Sequence, residues 1–446
     1  MSTIPKKKFS LLTTVSMIIG IVIGSGIFFK TNSIIIAVEG NILLGILVFV
    51  IGAFGIIFGG LTLSTYAKNN DKAGGLISYC EDALGNRFGY MVGIFQTYIY
   101  FPIITCILTW VCANYLLTLF GQNSLLGNGQ NNLLVYPLTV VLLVIFFVVN
   151  TIQTANAGHF QKISMFAKVF ALLTLSVCGL FFGNPVSNIA TSSSYSAPVV
   201  GIFLAIVSVA FSFDGWSIAP SISHEVVDGK KNMSLALTIA PIIITIIYIA
   251  YFVGLCSFTS FDQIQIGVDP LNNLASSLFG PIGMKIVYTF VVISVFGGVN
   301  GVILGYIRLP YSLALRGNIN NSDKLKTLHP KYDTPVNSAI LAFVFALIWL
   351  FIHFLTIDGS LINITFLSGL GIDNLAIVLM TVVYFVLYIG AMRNKESSTL
   401  YRYVFPTLAM IGAGIIIYGG LSQPVFNLYL IGGMVIMVLI YLLNKK

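Results

Sequence analysis

Long apolar runs separated by short polar stretches make up almost the whole chain. A helix needs about 20 mostly apolar residues to cross a bilayer, and each run is close to that length. The pattern predicts an all-α membrane protein with about twelve transmembrane helices, numbered below as spans 1 to 12. They run 11–35, 41–67, 88–119, 132–150, 162–183, 198–225, 234–257, 283–312, 337–356, 361–390, 403–421 and 425–443.

Spans 1 and 6 are interrupted by glycines near their middle, in IGIVIGSGI at 19–27 and AFSFDGW at 210–216. Glycine weakens a continuous helix, and matching interruptions in two halves of a chain indicate a transporter binding site. Spans 1 and 6 each open a set of five spans. We therefore predict one transporter domain over 1–446: a five-plus-five inverted repeat with discontinuous helices 1 and 6, followed by two additional helices. Its first repeat is 11–183, its second is 198–390, and the additional helices are 403–443.

A broken helix inside a membrane exposes backbone polar groups, which is tolerable where they line a cavity or meet a ligand. The free N–H groups at the start of the second half-helix suit a carboxylate, and the carbonyls that end the first half-helix suit an ammonium. An α-amino acid carries both charges a short distance apart. Two broken helices that cross therefore match its backbone. The alternative is that the glycines serve helix packing alone, as small residues do in membranes.

Composition excludes a soluble globular protein, because 57% of the residues are hydrophobic and 8% are charged, against about a quarter charged in soluble domains. The net charge of +8 comes from Lys and Arg in short loops, without the basic stripe that binds nucleic acid. By the positive-inside rule, both termini are cytoplasmic. Lys30 and Lys285 then fall on the outer side, Lys168 falls within span 5, and the other basic residues face the cytoplasm. We expect a multi-pass protein of the plasma membrane.

The chain lacks the residue patterns of several enzyme classes. It has no phosphate-binding loop, no metal-ligand spacing among its four histidines, and no converging nucleophile and base. We therefore expect no cofactor, no metal and no enzymatic activity. The five cysteines form no disulfide framework.

Several motifs in order along the chain carry a family resemblance. The chain resembles the amino acid–polyamine–organocation superfamily and, within it, the L-type amino-acid transporter family, with the nearest likeness to bacterial serine/threonine or alanine/serine/cysteine exchangers. The resemblance implies a twelve-helix fold and alternating access. The motifs are GSGIF at 24–28, GGLT at 59–62, GGLISY at 74–79, FDGW at 213–216, FGGVNG at 296–301 with Arg308, HP at 329–330 and TP at 334–335.

The same resemblance implies the residues that bind substrate. Backbone N–H groups of span 1 would hold the substrate carboxylate; these are Ser25, Gly26 and Ile27. Backbone carbonyls of spans 1 and 6 would hold the substrate ammonium; these are Val22, Phe211 and Asp214. Phe211 matches the aromatic gate that closes over the substrate. The residues beside these positions are candidates for the pocket: Gly24, Ser212, Gly215 and Trp216. For Trp216 the alternative is an aromatic ring that fills space in the bundle.

Lys168 matches a lysine of span 5 that, in similar transporters, takes the place of a sodium ion. An ammonium at this depth is costly and needs a partner or a role. It could hold the carbonyls of span 1 as a fixed cation, or it could exchange protons and couple transport to a gradient. The third alternative is a lysine that extends to the inner interface.

Two acidic residues lie within predicted spans. The Asp214 side chain could orient the break, place negative potential near an amino group, or cap the helix that follows. Asp373 could face a water-filled path or lie at the outer end of span 10. Tyr98, Tyr100 and Asn300 are polar groups for which interhelical hydrogen bonds are the commoner role.

We therefore expect a sodium-independent exchanger of small neutral L-amino acids such as alanine, serine, threonine or cysteine. The alternatives are a proton-coupled symporter, a carrier of cationic amino acids or polyamines, and a membrane nutrient sensor or subunit. Some members of the family pair with a glycoprotein through a cysteine in the outer loop after span 3. The corresponding loop, 121–131, has no cysteine, so we expect no disulfide-linked accessory subunit.

Overall fold

The computed structural model describes residues 9–70, 75–122, 133–152, 154–319, 321–357, 371–395, 397–422 and 424–443. Three of the sequence predictions fall wholly or partly elsewhere. The start of span 10 at 361–370, most of the loop at 121–131, and Gly74 of the GGLISY motif lie outside the described residues.

The described residues form an all-helical bundle without a β-sheet, and Phe9 and Val226 make an isolated bridge. The helices are Leu11–Val22, Ser25–Ala37, Ile42–Asn69, Leu76–Leu84, Asn86–Phe95, Gln96–Tyr100, Phe101–Leu119, Val135–Ile152, Thr154–Phe182, Pro185–Ser192, Val199–Ser212, Trp216–Glu225, Gly229–Phe258, Phe261–Gln265, Pro270–Tyr306, Leu309–Leu315, Ser322–Leu325, Val336–Thr356, Ile372–Ala391, Leu400–Val404, Phe405–Leu421 and Pro424–Leu443.

The prediction of about twelve membrane helices is confirmed. Within the described residues, ten helices are long and apolar enough to cross a bilayer, and a bent pair at the start of the chain makes an eleventh. The last helix, Pro424–Leu443, is also apolar, and its apolar part Phe426–Leu442 is slightly shorter than the other spans.

Span 4, observed as Val135–Ile152, shows why these helices belong in lipid. Leu142 and Phe146 are buried in the bundle, whereas Val144 and Val148, on the opposite face, are 41% and 49% exposed. A helix that is apolar on both its buried and its exposed face is suited to a membrane rather than to water.

The predicted outer loop at 258–282 contains helical structure, which corrects the expected start of span 8 at 283. Helix Phe261–Gln265 begins with a capping box between Ser260 and Gln263. The next helix, Pro270–Tyr306, merges two segments across Gly280, whose φ is +65°. Helix Phe261–Gln265 and the part of Pro270–Tyr306 before Gly280 are short and partly polar, so the length of an apolar run does not predict them. Residues that cap their first turns stabilise them.

Spans 1 and 6 are discontinuous, as predicted. Span 1 consists of half-helix 1a (Leu11–Val22) and half-helix 1b (Ser25–Ala37), with a bend of 43° between them. Span 6 consists of half-helix 6a (Val199–Ser212) and a 3₁₀ segment, 6b (Trp216–Glu225). Gly215 separates 6a from 6b with a φ of +99°, in the left-handed region that favours glycine.

Candidate functional site

The two helix breaks lie against each other in the bundle. A Cβ atom added to Gly26 would lie 2.7 Å from the Cα of Ser212, and one added to Gly215 would lie 2.7 Å from Cγ2 of Ile21. Half-helix 1b therefore touches the backbone of 6a, and the break in span 6 touches 1a. The glycines are needed here because the neighbouring chain leaves no room for a side chain.

The break in span 1 exposes the start of half-helix 1b. The N–H of Gly24 donates to the carbonyl of Val22 at 2.7 Å, and the helix begins at Ser25. The first N–H groups of a helix have no partners within it. The amides of Ser25, Gly26 and Ile27, predicted to hold a carboxylate, occupy this first turn.

Tyr248 of helix Gly229–Phe258 joins the two breaks. Its hydroxyl lies 2.9 Å from the carbonyl oxygen of Val22 and 3.0 Å from that of Ser212, so its proton is shared between them. Tyr248 was not predicted as a site residue, because it lies in an apolar run with no glycine or charge beside it. A tyrosine hydroxyl deep in a span needs a hydrogen-bond partner. The position of Tyr248 in the middle of span 7 was therefore the one sequence feature that pointed to a polar contact there.

Two of the three carbonyls predicted to hold the ammonium already accept hydrogen bonds. Val22 accepts from Tyr248 and Gly24, and Phe211 accepts from the N–H of Asp214 at 3.1 Å. A carbonyl oxygen has two lone pairs. The N–H of Phe213 also donates to the carbonyl of Phe211, so both acceptor positions of Val22 and of Phe211 are occupied, and an ammonium would displace one of these donors.

The aromatic side chains of span 6 are buried. Phe211 is 5% exposed, and the ammonium of Lys30 lies 5.0 Å from the centroid of its ring. The ring of Trp216 packs against that of Tyr384 with 5.4 Å between centroids. Phe211 thus packs against a buried cation, while Trp216 packs against span 10.

Lys168 lies in the interior, fully buried, and does not extend to the inner interface. Its Nζ donates to the carbonyl of Gly20 in half-helix 1a. A Cβ atom added to Gly297 of helix Pro270–Tyr306 would lie 2.9 Å from this Nζ and 2.0 Å from Oγ of Ser164. One ammonium therefore connects span 5 to span 1 close to the break and lies against span 8.

The Asp214 side chain belongs to a polar network on the other side of span 6. Tyr100 donates to its Oδ2 at 2.5 Å, and Tyr384 hydrogen-bonds Ser217 nearby. A cavity of about 40 Å³ borders Asp214, Trp216 and Tyr384, which is room for water rather than for an amino acid. Of the three roles considered for this carboxylate, the contact with Tyr100 supports orientation of the break.

Asp373 lies at the first turn of helix Ile372–Ala391, the end of span 10 predicted to be outer. Its Oδ2 is 2.7 Å from Nζ of Lys30. Lys30 was predicted to lie on the outer side, and no partner was predicted for it. The structure buries this lysine and pairs it across the bundle.

A bundle of membrane helices in which two discontinuous helices cross is the architecture of a secondary transporter. A family model described as "Amino acid permease" matches residues 9–442, and the chain belongs to this family. The resemblance stated from the motifs is therefore confirmed.

The chain is also similar in sequence to individual transporters, at modest identity. The chain is 28% identical over 348 residues to the serine/threonine exchanger SteT of Bacillus subtilis (strain 168), covering 78% of this chain and 77% of that protein. It is 25% identical to the human Asc-type amino acid transporter 1 over 75% of this chain and 64% of that one. For the human large neutral amino acids transporter small subunit 2, the identity is 24%, over 77% of this chain and 64% of the relative.

Proposed function

We propose that this protein is a sodium-independent exchanger of small neutral L-amino acids such as alanine, serine, threonine or cysteine, working by alternating access. The names of similar proteins support an amino-acid substrate, since one is a serine/threonine exchanger and another an Asc-type amino acid transporter. We further propose the plasma membrane as its location, cytoplasmic termini, and an inverted repeat of 11–183 and 198–390.

The crossing of the two helix breaks carries this proposal. The first-turn amides of half-helix 1b present partial positive charge, and the last carbonyls of 1a and 6a lie beside them. A zwitterion satisfies both sets of groups at once. We propose Ser25, Gly26 and Ile27 for the carboxylate, and the carbonyls of Phe211 and Asp214, with Val22, for the ammonium. Gly24, Ser212, Gly215 and Trp216 would shape the pocket, with Phe211 as its gate.

The position of Lys168 supports independence from sodium. Its ammonium donates to the carbonyl of Gly20, in the half-helix that precedes the break. A cation coordinated there would stabilise the same carbonyl end of 1a. Because the lysine is covalently fixed, the half-helix keeps its counter-charge in every step of the cycle.

Exchange follows from the cost of the empty site. Without a substrate, the first-turn amides of half-helix 1b would be enclosed without partners when the carrier reorients, and a buried unpaired polar group is costly. A bound amino acid removes that cost. The loaded carrier should therefore reorient much faster than the empty one.

Counterflow in proteoliposomes tests the proposal. We expect uptake of labelled serine or alanine to require unlabelled amino acid inside the vesicles and to be unchanged when choline replaces sodium. Equal uptake into vesicles that contain no amino acid would contradict obligatory exchange, and dependence on sodium would contradict the proposed role of Lys168.

Proton coupling is the rival within transport, with Lys168 as the group that titrates. It predicts concentrative uptake into empty vesicles under an imposed pH gradient, inside alkaline. The exchanger predicts no accumulation there. The same vesicles therefore separate the two mechanisms.

The contacts of the two acidic residues argue against a cationic substrate. Asp214 accepts from Tyr100, and Asp373 is paired with Lys30, so both carboxylates have partners within the bundle. Competition by arginine or putrescine in the counterflow assay would contradict this.

We also propose that the chain is a carrier rather than an enzyme, a nutrient sensor or the subunit of a disulfide-linked complex. The loop at 121–131 offers no cysteine for such a bond. Substrate-dependent counterflow by the purified chain alone would support all of these points together.

A further inference from the structure

A groove lies between span 4 (Val135–Ile152) and span 9 (Val336–Thr356). None of its described lining residues belongs to span 1 or span 6. Its volume is about 350 Å³, within the range of about 300–1,000 Å³ for sites that hold small organic ligands. It follows span 4 from Val144 to Thr151, about 10 Å at 1.5 Å per residue. Its middle is lined by apolar side chains: Val144, Phe147, Val148, Ala339, Ile340 and Phe343.

The groove has a floor inside the bundle and rims that face outward. Ala339 on the floor is 4% exposed, whereas Val148 and Ile340 on the two rims are 49% and 57% exposed. The rings of Phe147 and Phe343 pack edge to face, with 5.3 Å between centroids, and join the two spans. The small side chain of Ala339 therefore leaves an apolar channel that is open to the surrounding hydrocarbon.

One end of the groove is polar and lies on the predicted cytoplasmic side. The rings of His329 and Tyr332 line this end and stack with 4.6 Å between centroids. Nζ of Lys331 lies 5.6 Å from the centroid of the Tyr332 ring. The backbone N–H of Lys331 donates to Nδ1 of His329 at 3.3 Å, and a neutral imidazole that accepts at Nδ1 carries its proton on Nε2. An ammonium and an imidazole N–H are therefore available at this end for an anion.

The turn that carries these groups is held in place by hydrogen bonds. The N–H of His329 donates to the carbonyl of Thr334 at 2.8 Å, and that of Asp333 donates to the carbonyl of His329 at 2.9 Å. The hydroxyl of Thr334 donates to the carbonyl of Thr151 in span 4 at 2.7 Å. The carboxylate of Asp333 interacts electrostatically with Tyr311 and is not among the described groups that line the groove. The basic groups are thus fixed at the end of span 4.

An apolar groove with a basic end matches a ligand that is apolar along its length and anionic at one end. Basic pockets between membrane helices on the cytoplasmic side bind anionic lipid headgroups. A free phosphate would leave the apolar walls without a ligand. An apolar partner helix would leave the ammonium of Lys331 without a counter-charge. A phospholipid satisfies both parts of the groove.

We propose that this groove binds an anionic phospholipid, with an acyl chain between spans 4 and 9 and its phosphate held by Lys331, His329 and Tyr332. The bound lipid contacts both spans and the turn between spans 8 and 9. Because a ligand that binds only the folded state stabilises it, the lipid should also stabilise this part of the bundle. The site is separate from the crossing of the two breaks and does not depend on the identity of the substrate.

Native mass spectrometry of the purified full chain in detergent measures lipid binding directly. Phosphatidylglycerol is the anionic probe, and phosphatidylcholine with the same acyl chains is the zwitterionic reference. We expect tighter binding of phosphatidylglycerol. Lys331→Gln should weaken that binding about fivefold, the contribution of one basic residue to contact with an anionic lipid. The control is Lys230→Gln, at an exposed lysine of helix Gly229–Phe258, which contributes no described residue to the groove.

A second pair of variants tests the apolar part of the groove. Val148→Trp places a large ring in the groove from its rim and should weaken phosphatidylglycerol binding about tenfold, as expected when about two methylene groups lose their burial. Val149→Trp is the matched control, because Val149 is 44% exposed and is not among the described lining residues. Both valines lie on the exposed part of span 4, so neither substitution disturbs buried packing.

Equal affinity of the unsubstituted chain for the two lipids would overturn the proposal. Equal weakening by Lys331→Gln and Lys230→Gln would overturn it too, and so would equal binding by the two tryptophan variants. A second copy of the chain or a co-purified partner protein in place of the lipid would also contradict it. Because the measurement counts bound lipid, a chain that fails the counterflow test can still bind lipid here. A chain that exchanges serine can equally fail to bind it.

Discussion

At the scale of single residues, the proposed site depends on side chains that satisfy backbone groups freed by the breaks. Lys168 donates to Gly20, and Tyr248 bridges the carbonyls of Val22 and Ser212. The last carbonyls of half-helices 1a and 6a therefore accept hydrogen bonds from side chains of other helices. This arrangement keeps unwound backbone stable in an interior where water cannot supply the missing hydrogen bonds.

Tyr248→Phe should slow exchange about tenfold or more, because the carbonyl of Ser212 loses this donor and a buried carbonyl left unpaired costs about 1–3 kcal/mol. Initial rates of serine counterflow measure the effect. Tyr251→Phe is the matched control, one turn further along the same helix. Its buried hydroxyl has no hydrogen-bond partner among the described residues. A similar loss in both variants would show that the bridge made by Tyr248 has no special role.

At the scale of elements, the contact between half-helices 1b and 6a sets where the site lies. Gly26 and Ser212 touch through their backbones, and the left-handed Gly215 turns the chain out of 6a. The sequence predicted both breaks from their glycines. The contact between the two breaks depends on how the spans cross. The pattern of apolar residues in either span does not predict that crossing.

Gly26→Ala should abolish most of the exchange and lower the melting temperature of the protein in detergent. Its new Cβ would lie 2.7 Å from the Cα of Ser212, so the two half-helices must separate. Gly414→Ala is the control, because nothing lies within 4 Å of a Cβ added there. Replacing that helical glycine should leave exchange unchanged and be neutral or slightly stabilising. A Gly26→Ala protein with normal exchange would show that the contact is not required.

At the scale of the whole molecule, the segment around Phe9 is tied to the chain that follows half-helix 6b. Phe9 pairs through its backbone with the chain around Val226, and Arg308 pairs with the buried carboxylate of Glu225. Half-helix 1a thus starts from a segment that is fixed to the end of 6b. The two broken spans are therefore connected at this end of the bundle as well as at their breaks.

Glu225→Gln should lower the free energy of unfolding by roughly 3–5 kcal/mol, because the change leaves the guanidinium of Arg308 buried without its counter-charge. Denaturant or thermal unfolding of the purified protein in one detergent measures it. Asp323→Asn, in the exposed pair with Lys326, should change the free energy by less than about 1 kcal/mol. Equal effects would show that burial does not distinguish the two pairs.

The sequence by itself determined the number of spans, the places where two of them break, and the family. These are local properties, since the length of an apolar run is set by the thickness of the bilayer and a glycine weakens a helix wherever it stands. The helical segments within 258–282 were not predicted, because capping residues rather than long apolar runs mark where they begin.

Only the tertiary structure decided which polar groups meet. Lys30 with Asp373, Tyr248 with both breaks, and Arg308 with Glu225 join spans far apart in the chain. Such pairs depend on the rotation of each helix about its own axis and on the angle at which helices cross. Side-chain packing over the whole bundle sets both quantities, and a single span contains no signal for either.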